Sequence, residues 1–297
     1  MVREFQMDFG RAVTQFRAAM KNFPIKKTLY RTLFRGKGIE FDSYRKFDDS
    51  SEDYSMVDWK ASLRANDLLA KKYIEEKDLN IYFVIDVSNS MLFGSGAKLK
   101  AEYVGEMVAA ISNVITMSGD NVGLILFTDH IMQILRPSRG RNQFGLVTKL
   151  LSDVTLYGGN FDMRVVIDYI LRTIRPSFSV FVIISDFIRT HKDCDRHFRL
   201  LGTRFETMAM MVRDPLDEIL PDTSHQLIIQ DPYSGEQMII DSVLAAERYK
   251  AQVLKQKAQM KKILQDAKID LLDLNTSVPF VLPVVSFLRR RTGGLRE

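Results

Sequence analysis

Oxygen-bearing side chains follow the first strongly apolar run of this 297-residue chain. Residues 81–85 are apolar and rich in β-branched and aromatic side chains, which predicts a strand that is covered on both faces. The run leads into Asp86, Ser88 and Ser90, in the pattern D-x-S-x-S. One carboxylate and two hydroxyls on a tight loop are oxygen ligands suited to a hard cation, so the sequence indicates a candidate Mg²⁺ site.

Two further loops add oxygen ligands. A second buried apolar run, residues 180–184, is followed by Asp186, and between the two runs lies the Gly158-Gly159 pair. Glycines allow a close backbone approach, and Asn160 or Asp162 supplies another oxygen while capping the next helix. Ligands of parallel sheets bind beyond the carboxyl ends of the strands, so we expect these loops to meet there. The predicted metal-site residues are therefore Asp86, Ser88, Ser90 and Asp186, with either Asn160 or Asp162.

Alternating strands and helices are needed to place these loops together. Apolar runs predict further strands at 122–127, 130–135, 207–212 and 269–274. Apolar spacing predicts helices at 1–25, 98–117, 142–152, 161–174, 194–201, 244–267 and 280–291. Buried strands that alternate with helices favour an α/β fold with a doubly wound, mostly parallel sheet.

The composition is that of a folded globular protein. Apolar residues make up 46% and charged residues 27%, which excludes disordered, collagenous and disulfide-scaffold classes. A single cysteine, Cys194, precludes an internal disulfide. The first residues lack the apolar core of a signal peptide, and no apolar run approaches the ~20 residues of a membrane span. We therefore expect a cytoplasmic protein.

The basic charge is concentrated near the start of the chain. Residues 1–47 hold eleven Lys or Arg and four Asp or Glu, a local charge of +7 within a total of +5. We predict a basic accessory segment at 1–77 and an α/β domain at 78–297. Peripheral contact with an anionic membrane stays open. Nucleic acid binding is disfavoured, because the aromatic residues of the segment have core-like helical spacing and no nucleic-acid-binding motif is found.

Two other chemistries lack an essential residue. A phosphatase of the Asp-x-Asp type would use a second carboxylate as general acid, and Ser88 stands in that place. Such a phosphate-processing hydrolase remains the enzyme alternative. A zinc site on His191, Cys194 and His197 lacks a second pair of ligands.

These motifs resemble a known family. The D-x-S-x-S loop, the Gly-Gly-Asn loop and the Ser185-Asp186 pair are similar to the metal-ion-dependent adhesion site of von Willebrand factor A domains. Nearly the whole chain resembles the bacterial and archaeal domain-of-unknown-function family numbered 58. The matching segments are Gly36-x-Gly38-x-Glu40-Phe41, Tyr44-Arg45, Val57-Asp58-Trp59-Lys60, Gly119-Asp120-x-Val122-Gly123-Leu124 and Val212-Arg213-Asp214-Pro215-Leu216.

The resemblance implies a binding protein, not an enzyme. Ser88 and Ser90 would contact Mg²⁺ directly, Asn160 would bind it directly or through one water, and Asp86 and Asp186 would orient its waters. An open coordination position would take a partner's Glu or Asp. The implied partner is a MoxR-type AAA+ ATPase, with a role in protein maturation or stress response. Because the family usually has Thr where Asn160 stands, a metal-independent interaction domain is the alternative.

The resemblance also implies a role for Trp59. Its indole is expected to be buried beside Asp58, docking the N-terminal segment on the α/β domain. The neighbouring charges Arg213 and Asp214, at a predicted strand end, fit either an internal ion pair or a partner contact.

Overall fold

The computed structural model describes residues 4–21, 43–47, 57–65, 67–72, 79–176, 179–190, 192–221 and 226–293. The strands are β1 (Ser43–Lys46), β2 (Leu69–Lys72), β3 (Asn80–Asp86), β4 (Asn121–Phe127), β5 (Ile131–Ser138), β6 (Ser179–Ser185), β7 (Glu206–Arg213), β8 (Gln226–Gln230), β9 (Gln237–Asp241) and β10 (Asp270–Asn275). The α-helices are α1 (Phe9–Met20), α2 (Trp59–Ala65), α3 (Lys100–Met117), α4 (Arg141–Ser152), α5 (Met163–Thr173), α6 (Asp195–Arg204), α7 (Ser242–Asp266) and α8 (Val281–Gly293).

Six strands form the central sheet in the order β10-β7-β6-β3-β4-β5. All neighbours are parallel except β5, which pairs antiparallel with β4 as the predicted hairpin. When the six strands are numbered along the chain, the order is that of a doubly wound sheet, 3-2-1-4-5-6. The predicted α/β fold with a doubly wound, mostly parallel sheet is therefore confirmed.

Helices cover both faces of this sheet. On one face, α1, α3 and α8 pack over β3 through side chains such as Phe16, Val108 and Val284. On the other face, α5, α6 and α7 contribute Ile167, Phe198 and others to a second core. Side chains of the central strands are buried on both faces, which explains why their sequences are continuous apolar runs and not alternating patterns.

The first helix is shorter than predicted. The sequence predicts a helix over 1–25, but α1 begins at Phe9. Asp8 ends the preceding extended segment because its carboxylate accepts a hydrogen bond from a backbone N–H of the first turn. Residues 22–25, including the predicted stop at Pro24, lie outside the described residues.

The extended segment before α1 is bound to α3 through two carboxylates. The backbone N–H of Gln6 donates to Glu102 Oε1 at 2.6 Å, and that of Asp8 donates to Glu106 Oε1 at 2.8 Å. Both glutamates are buried. Backbone groups that a helix would pair internally are thus paired with side chains of the domain.

The predicted burial of Trp59 is wrong. Its side chain is 58% exposed at the start of α2, a seven-residue helix. The helix is fixed by polar bonds instead: Asp58 accepts from the N–H groups of Lys60 and Ala61, and the buried Ser62 hydroxyl donates to the carbonyl of Asp58. The proposed boundary between residues 77 and 78, and the Gly36-x-Gly38 motif, lie outside the described residues.

The antiparallel hairpin of β8 and β9 was not predicted, because the sequence analysis assigned no structure to these residues. Among the described residues its two strands pair only with each other, and they are largely exposed. The long helix that follows, α7, carries charged residues along most of its length. Across the part of the chain that the structure describes, no helix combines the length and apolar character needed to cross a membrane.

Candidate functional site

The loop after β3 is fixed by its first carboxylate. Asp86 is fully buried, its Oδ1 accepts the N–H of Ser88 at 2.9 Å, and its Oδ2 accepts the hydroxyl of Ser185 at 2.6 Å. This last bond joins the ends of the neighbouring strands β3 and β6. Burial, together with the negative charge of nearby Asp186, raises the pKa of Asp86 to about 7.

Two serine hydroxyls stand next to each other above this carboxylate. Ser88 Oγ and Ser90 Oγ are 3.5 Å apart, and both side chains are buried. The single 3₁₀ turn that begins at Asn89 turns the chain back so that the two hydroxyls share one side of the loop. Neighbouring ligands of an octahedral Mg²⁺ are about 3 Å apart, so a small rotation would bring both hydroxyls to one ion.

The glycine loop lies against the serine loop, as predicted. Gly158 and Gly159 have φ values of +118° and +88°, and Gly158 donates to the carbonyl of Val87 at 2.7 Å. Asn89 and Gly159 exchange two hydrogen bonds, since the N–H of Gly159 donates to Asn89 Oδ1 at 2.9 Å and the N–H of Asn89 donates to the Gly159 carbonyl at 3.1 Å. The two loops therefore form one unit.

Two predicted oxygen donors on this loop are not directed at the serines. Asn160 is exposed and makes no hydrogen bond with any described residue. Asp162 caps α5 and binds the guanidinium of Arg164 with both oxygens. The structure thus brings Asp86, Ser88 and Ser90 together with Asp186, and it leaves Asn160 on the rim.

Asp186 reaches the site through an unusual backbone turn. Phe187 has φ of +54°, a conformation that a bulky residue rarely adopts, and its ring is buried. This turn lets Asp186 Oδ1 accept the N–H of Ile188 at 3.0 Å while Oδ2 accepts from the Lys100 ammonium at 2.8 Å. Burial alone would raise the pKa of Asp186, but the ammonium and the hydrogen bonds outweigh it and hold this pKa below its ordinary value.

Lys100 is a functional residue that the sequence analysis missed. Its side chain is 1% exposed, and its ammonium also contacts Asp217 Oδ2 at 2.7 Å. Burial opposes the charged form, yet the two carboxylates prevail and raise the pKa of Lys100. The pKa of Asp217 is raised by its own burial. A lysine at the start of an amphipathic helix normally faces solvent, so no sequence signal pointed to this position.

Tyr233 is the second residue that was missed. It lies in the turn of the β8–β9 hairpin, and its hydroxyl is 3.0 Å from Ser88 Oγ. The Arg189 guanidinium stands over its ring at 4.2 Å from the centroid. Burial raises the pKa of Tyr233, so the phenol is neutral at physiological pH. Tyr233 and Ser88 are far apart in the sequence, so their contact cannot be predicted without the complete fold.

The charge of the site favours a bound cation. With Asp186 and Asp217 ionised and Lys100 protonated, these three groups carry a formal charge of −1, and Asp86, whose pKa is raised to about 7, adds up to one further negative charge. Buried carboxylates without compensation are costly, and a divalent cation beside the serine hydroxyls would supply that compensation. The donor set is made only of oxygen atoms, as Mg²⁺ requires.

Serine hydroxyls are essential to this assignment. Among the described residues, no group of three or more His, Cys, Asp or Glu side chains is arranged to hold a metal ion. His191 of the zinc alternative lies outside those residues, and Cys194 is buried in the core. A cation at this edge of the sheet would depend on Ser88 and Ser90.

Arg213 and Asp214, next to the site, do not form an ion pair with each other in the hydrogen-bond and salt-bridge geometry of the described residues. Arg213 is fully buried, and its Nε donates to the carbonyl of Asp186 at 3.2 Å. Its two terminal nitrogens have no hydrogen-bond partner among the described residues. Asp214 accepts from the N–H of Ser95 at 2.8 Å and from the Ser95 hydroxyl, and it therefore ties the loop before α3 to β7.

Comparison with protein-family models gives a match over most of the chain. Residues 43–259 match the family described as "Protein of unknown function DUF58". An uncharacterized protein of Mycobacterium tuberculosis is 26% identical over 265 residues, which is 88% of this chain and 82% of the relative.

Solved structures with the same fold include two proteins from Bacteroides. The conserved hypothetical protein BatB of Bacteroides thetaiotaomicron superposes with a TM-score of 0.51 at 13% identity, over 72% of this chain and 99% of that one. An aerotolerance-related membrane protein of Bacteroides fragilis gives a TM-score of 0.50 at 13% identity, over 73% and 100%. At these identities the likeness concerns the fold alone.

Proposed function

This chain belongs to the DUF58 family, and we propose that it is a non-enzymatic protein-binding domain with a metal-ion-dependent adhesion-type site. One observation carries the proposal: Asp86, Ser88, Ser90 and Asp186 converge at the carboxyl edge of the sheet, where they place carboxylate and hydroxyl oxygens close together. The edge beyond the strands is where doubly wound sheets bind their ligands.

Each residue would have a separate task. The hydroxyls of Ser88 and Ser90 would hold Mg²⁺ directly, while Asp86 and Asp186 would accept hydrogen bonds from its water ligands. Asn160, on the rim, would reach the ion through a water. When bound, Mg²⁺ supplies positive charge and an open position for a carboxylate. The chain itself holds the two loops rigid through the Asn89–Gly159 hydrogen bonds, so that little ordering remains to be done on binding.

The proposed ligand is an exposed Glu or Asp of a protein partner. The resemblance of the sequence motifs to this family implies that the partner is a MoxR-type AAA+ ATPase, which would act with this domain in protein maturation or stress response. In such a pair the ATPase would supply nucleotide hydrolysis, and this domain would supply recognition. A phosphatase of the Asp-x-Asp type would have a second carboxylate two positions after Asp86, and Ser88 stands there instead, which supports binding over turnover.

Titration calorimetry with MgCl₂ tests the first step. We expect wild-type protein to bind one Mg²⁺ and the Ser88→Ala/Ser90→Ala double variant to lose binding, because both hydroxyl ligands are removed. The loop itself should keep its fold, since Asp86 still accepts the backbone N–H of residue 88. Ser152→Ala, on the exposed face of α4, is the matched control and should bind as wild type. Equal binding by the double variant and the wild type would contradict the serine site.

Partner recognition needs its own measurement. Immobilised wild-type protein should capture a MoxR-type ATPase in MgCl₂ and release it in EDTA, and Asp86→Asn should capture less. Capture that is equal in EDTA and in MgCl₂ would reject a metal bridge while leaving a protein-binding role intact.

A metal-independent binding domain is the second candidate, and Lys100 favours it. Its buried ammonium already balances one of the two negative charges of Asp186 and Asp217, so part of a cation's electrostatic role is filled by the chain. In that case a partner would be captured equally well with EDTA present, and the serine double variant would retain binding.

A further inference from the structure

The β8–β9 hairpin is held on the domain by few apolar contacts. Ile228 is 66% exposed and Ile239 is 65% exposed, so the strands bury little apolar surface. The hairpin strands pair with each other and with no strand of the central sheet. An element with few buried apolar contacts opens at a low free energy, so its position depends on the contacts of its turn.

Those contacts centre on Tyr233. Asp231 shapes the turn by accepting the N–H of Tyr233 at 2.7 Å and the N–H of Ser234 at 3.2 Å. The turn then places the Tyr233 hydroxyl 3.0 Å from Ser88 Oγ, and Arg189 covers the ring from the side of β6. Arg189 also lies 3.8 Å from Asp231 Oδ2, an exposed ion pair of small strength.

The phenol lies at hydrogen-bond distance from Ser88, in a position next to the hydroxyl that a ligand of the serines would also need. The hydroxyls of Ser88 and Ser90 are 3.5 Å apart, and Tyr233 adds a third oxygen at hydrogen-bond distance from Ser88. Asp86 and Asp186 are both buried at the same edge of the sheet. A cation or carboxylate that binds Ser88 Oγ would therefore compete with the Tyr233 hydroxyl for it.

We propose that Tyr233 is a displaceable cap, which competes with the ligand for the serine hydroxyls and keeps the site closed until the hairpin moves. This inference rests on the proposed function. In the closed state the Tyr233 phenol is hydrogen-bonded to the Ser88 hydroxyl. In the open state the Ser88 hydroxyl is free to bind the cation. The apparent affinity is then the intrinsic affinity reduced by the fraction of molecules that are open.

Two Tyr233 variants measure this competition with Mg²⁺ alone as the probe. Tyr233→Phe removes one hydrogen bond of ordinary strength and should raise Mg²⁺ affinity about fivefold. Tyr233→Ala also removes the ring and its contact with Arg189, and we expect a larger gain. Tyr103→Phe is the matched control: it removes a hydroxyl that bonds to the carbonyl of Val278, away from the hairpin, and should leave affinity unchanged.

A structural signal separates the cap from a general effect on affinity. In protein labelled with 3-fluorotyrosine, the ¹⁹F resonance of Tyr233 is assigned by its loss in Tyr233→Phe. We expect this resonance to move on addition of MgCl₂, while the resonance of Tyr103 stays in place.

The outcomes distinguish the cap from the metal site. Equal Mg²⁺ affinity of wild type and Tyr233→Ala, or binding without movement of the Tyr233 resonance, would overturn the cap and leave the proposed function standing. Absence of Mg²⁺ binding in both proteins would overturn the metal step and the competition with it. Binding by Tyr233→Ala but not by wild type would support both.

Discussion

The ammonium of Lys100 lies 2.8 Å from Asp186 Oδ2, and both side chains are buried within the protein. Lys100 is the first residue of helix α3 and Asp186 follows strand β6, so this bond joins two elements that lie far apart in the sequence. A buried pair of this kind is weak evidence for net stability, but removal of one partner leaves an uncompensated charge.

Lys100→Met should therefore be strongly destabilising. We expect a loss of roughly 3 kcal/mol in the free energy of unfolding, because the buried Asp186 and the partly buried Asp217 would lose their cation. Urea unfolding at neutral pH measures it. Lys149→Met, on the exposed face of α4, is the control and should change stability by less than ~1 kcal/mol. Equal losses in the two variants would contradict a special role for Lys100.

Arg213→Met should behave in the opposite way. Arg213 is as deeply buried as Lys100, but its terminal nitrogens find no acceptor among the described residues. Replacing an unsatisfied buried charge with an apolar side chain of similar length should leave the free energy of unfolding unchanged or raise it. A loss above about 2 kcal/mol in the same urea assay would show that the guanidinium has an anionic partner in solution.

The glycine loop offers a prediction of backbone strain. Gly158→Ala places a side chain at φ of +118° and sets its Cβ 3.4 Å from Asn89 Oδ1. We expect a loss of about 1–3 kcal/mol in the free energy of unfolding. Gly145→Ala, in the middle of α4 with open space around its Cβ, should instead gain about 0.5–1 kcal/mol. Two variants with the same sign of effect would argue against the described loop.

Asp214 provides a pH dependence whose sign is defined. Burial opposes its charge, but the hydrogen bonds from Ser95 outweigh burial and hold the pKa of Asp214 below its ordinary value of 3.8. A lowered pKa in the folded state stabilises the fold above the unfolded pKa, and this contribution fades as the pH falls through the folded pKa.

Asp214→Asn should thus be less stable than wild type at pH 7, by roughly 2 kcal/mol. The difference should shrink as the pH is lowered from 5 towards 3, which thermal unfolding across that range would follow. Asp266→Asn, at the exposed end of α7, is the control and should show no such trend. A difference that grows on acidification would reverse the sign and contradict the assignment.

The sequence was most informative where burial dictates residue type. Strands β3, β4 and β6 are covered on both faces, so their apolar runs identified them and placed Asp86 and Asp186 at one edge. The D-x-S-x-S spacing predicted that the hydroxyls of Ser88 and Ser90 belong to the same loop. Trp59 was misplaced because aromatic character alone cannot tell a buried indole from an exposed one.

Contacts between distant segments could not be predicted in this way. Tyr233 meets Ser88 across 145 positions, and Lys100 meets Asp217 across 117. Neither contact has a local pattern, because each depends on how a loop or helix end is carried over the sheet. Asn160 shows the reverse case, in which a residue with a suitable position in the chain lies exposed on the rim.

Helix α3 is anchored at two places that belong to different parts of the molecule. Its first residue, Lys100, is bound to the carboxylates of the site, and within the next two turns Glu102 and Glu106 hold the extended segment that precedes α1. Proteolytic trimming or a bulky fusion at residues 4–8 would strip two buried glutamates of their backbone donors. A break in the chain at these residues would then also weaken the Lys100–Asp186 ion pair, because the same helix, α3, carries Lys100 and both glutamates.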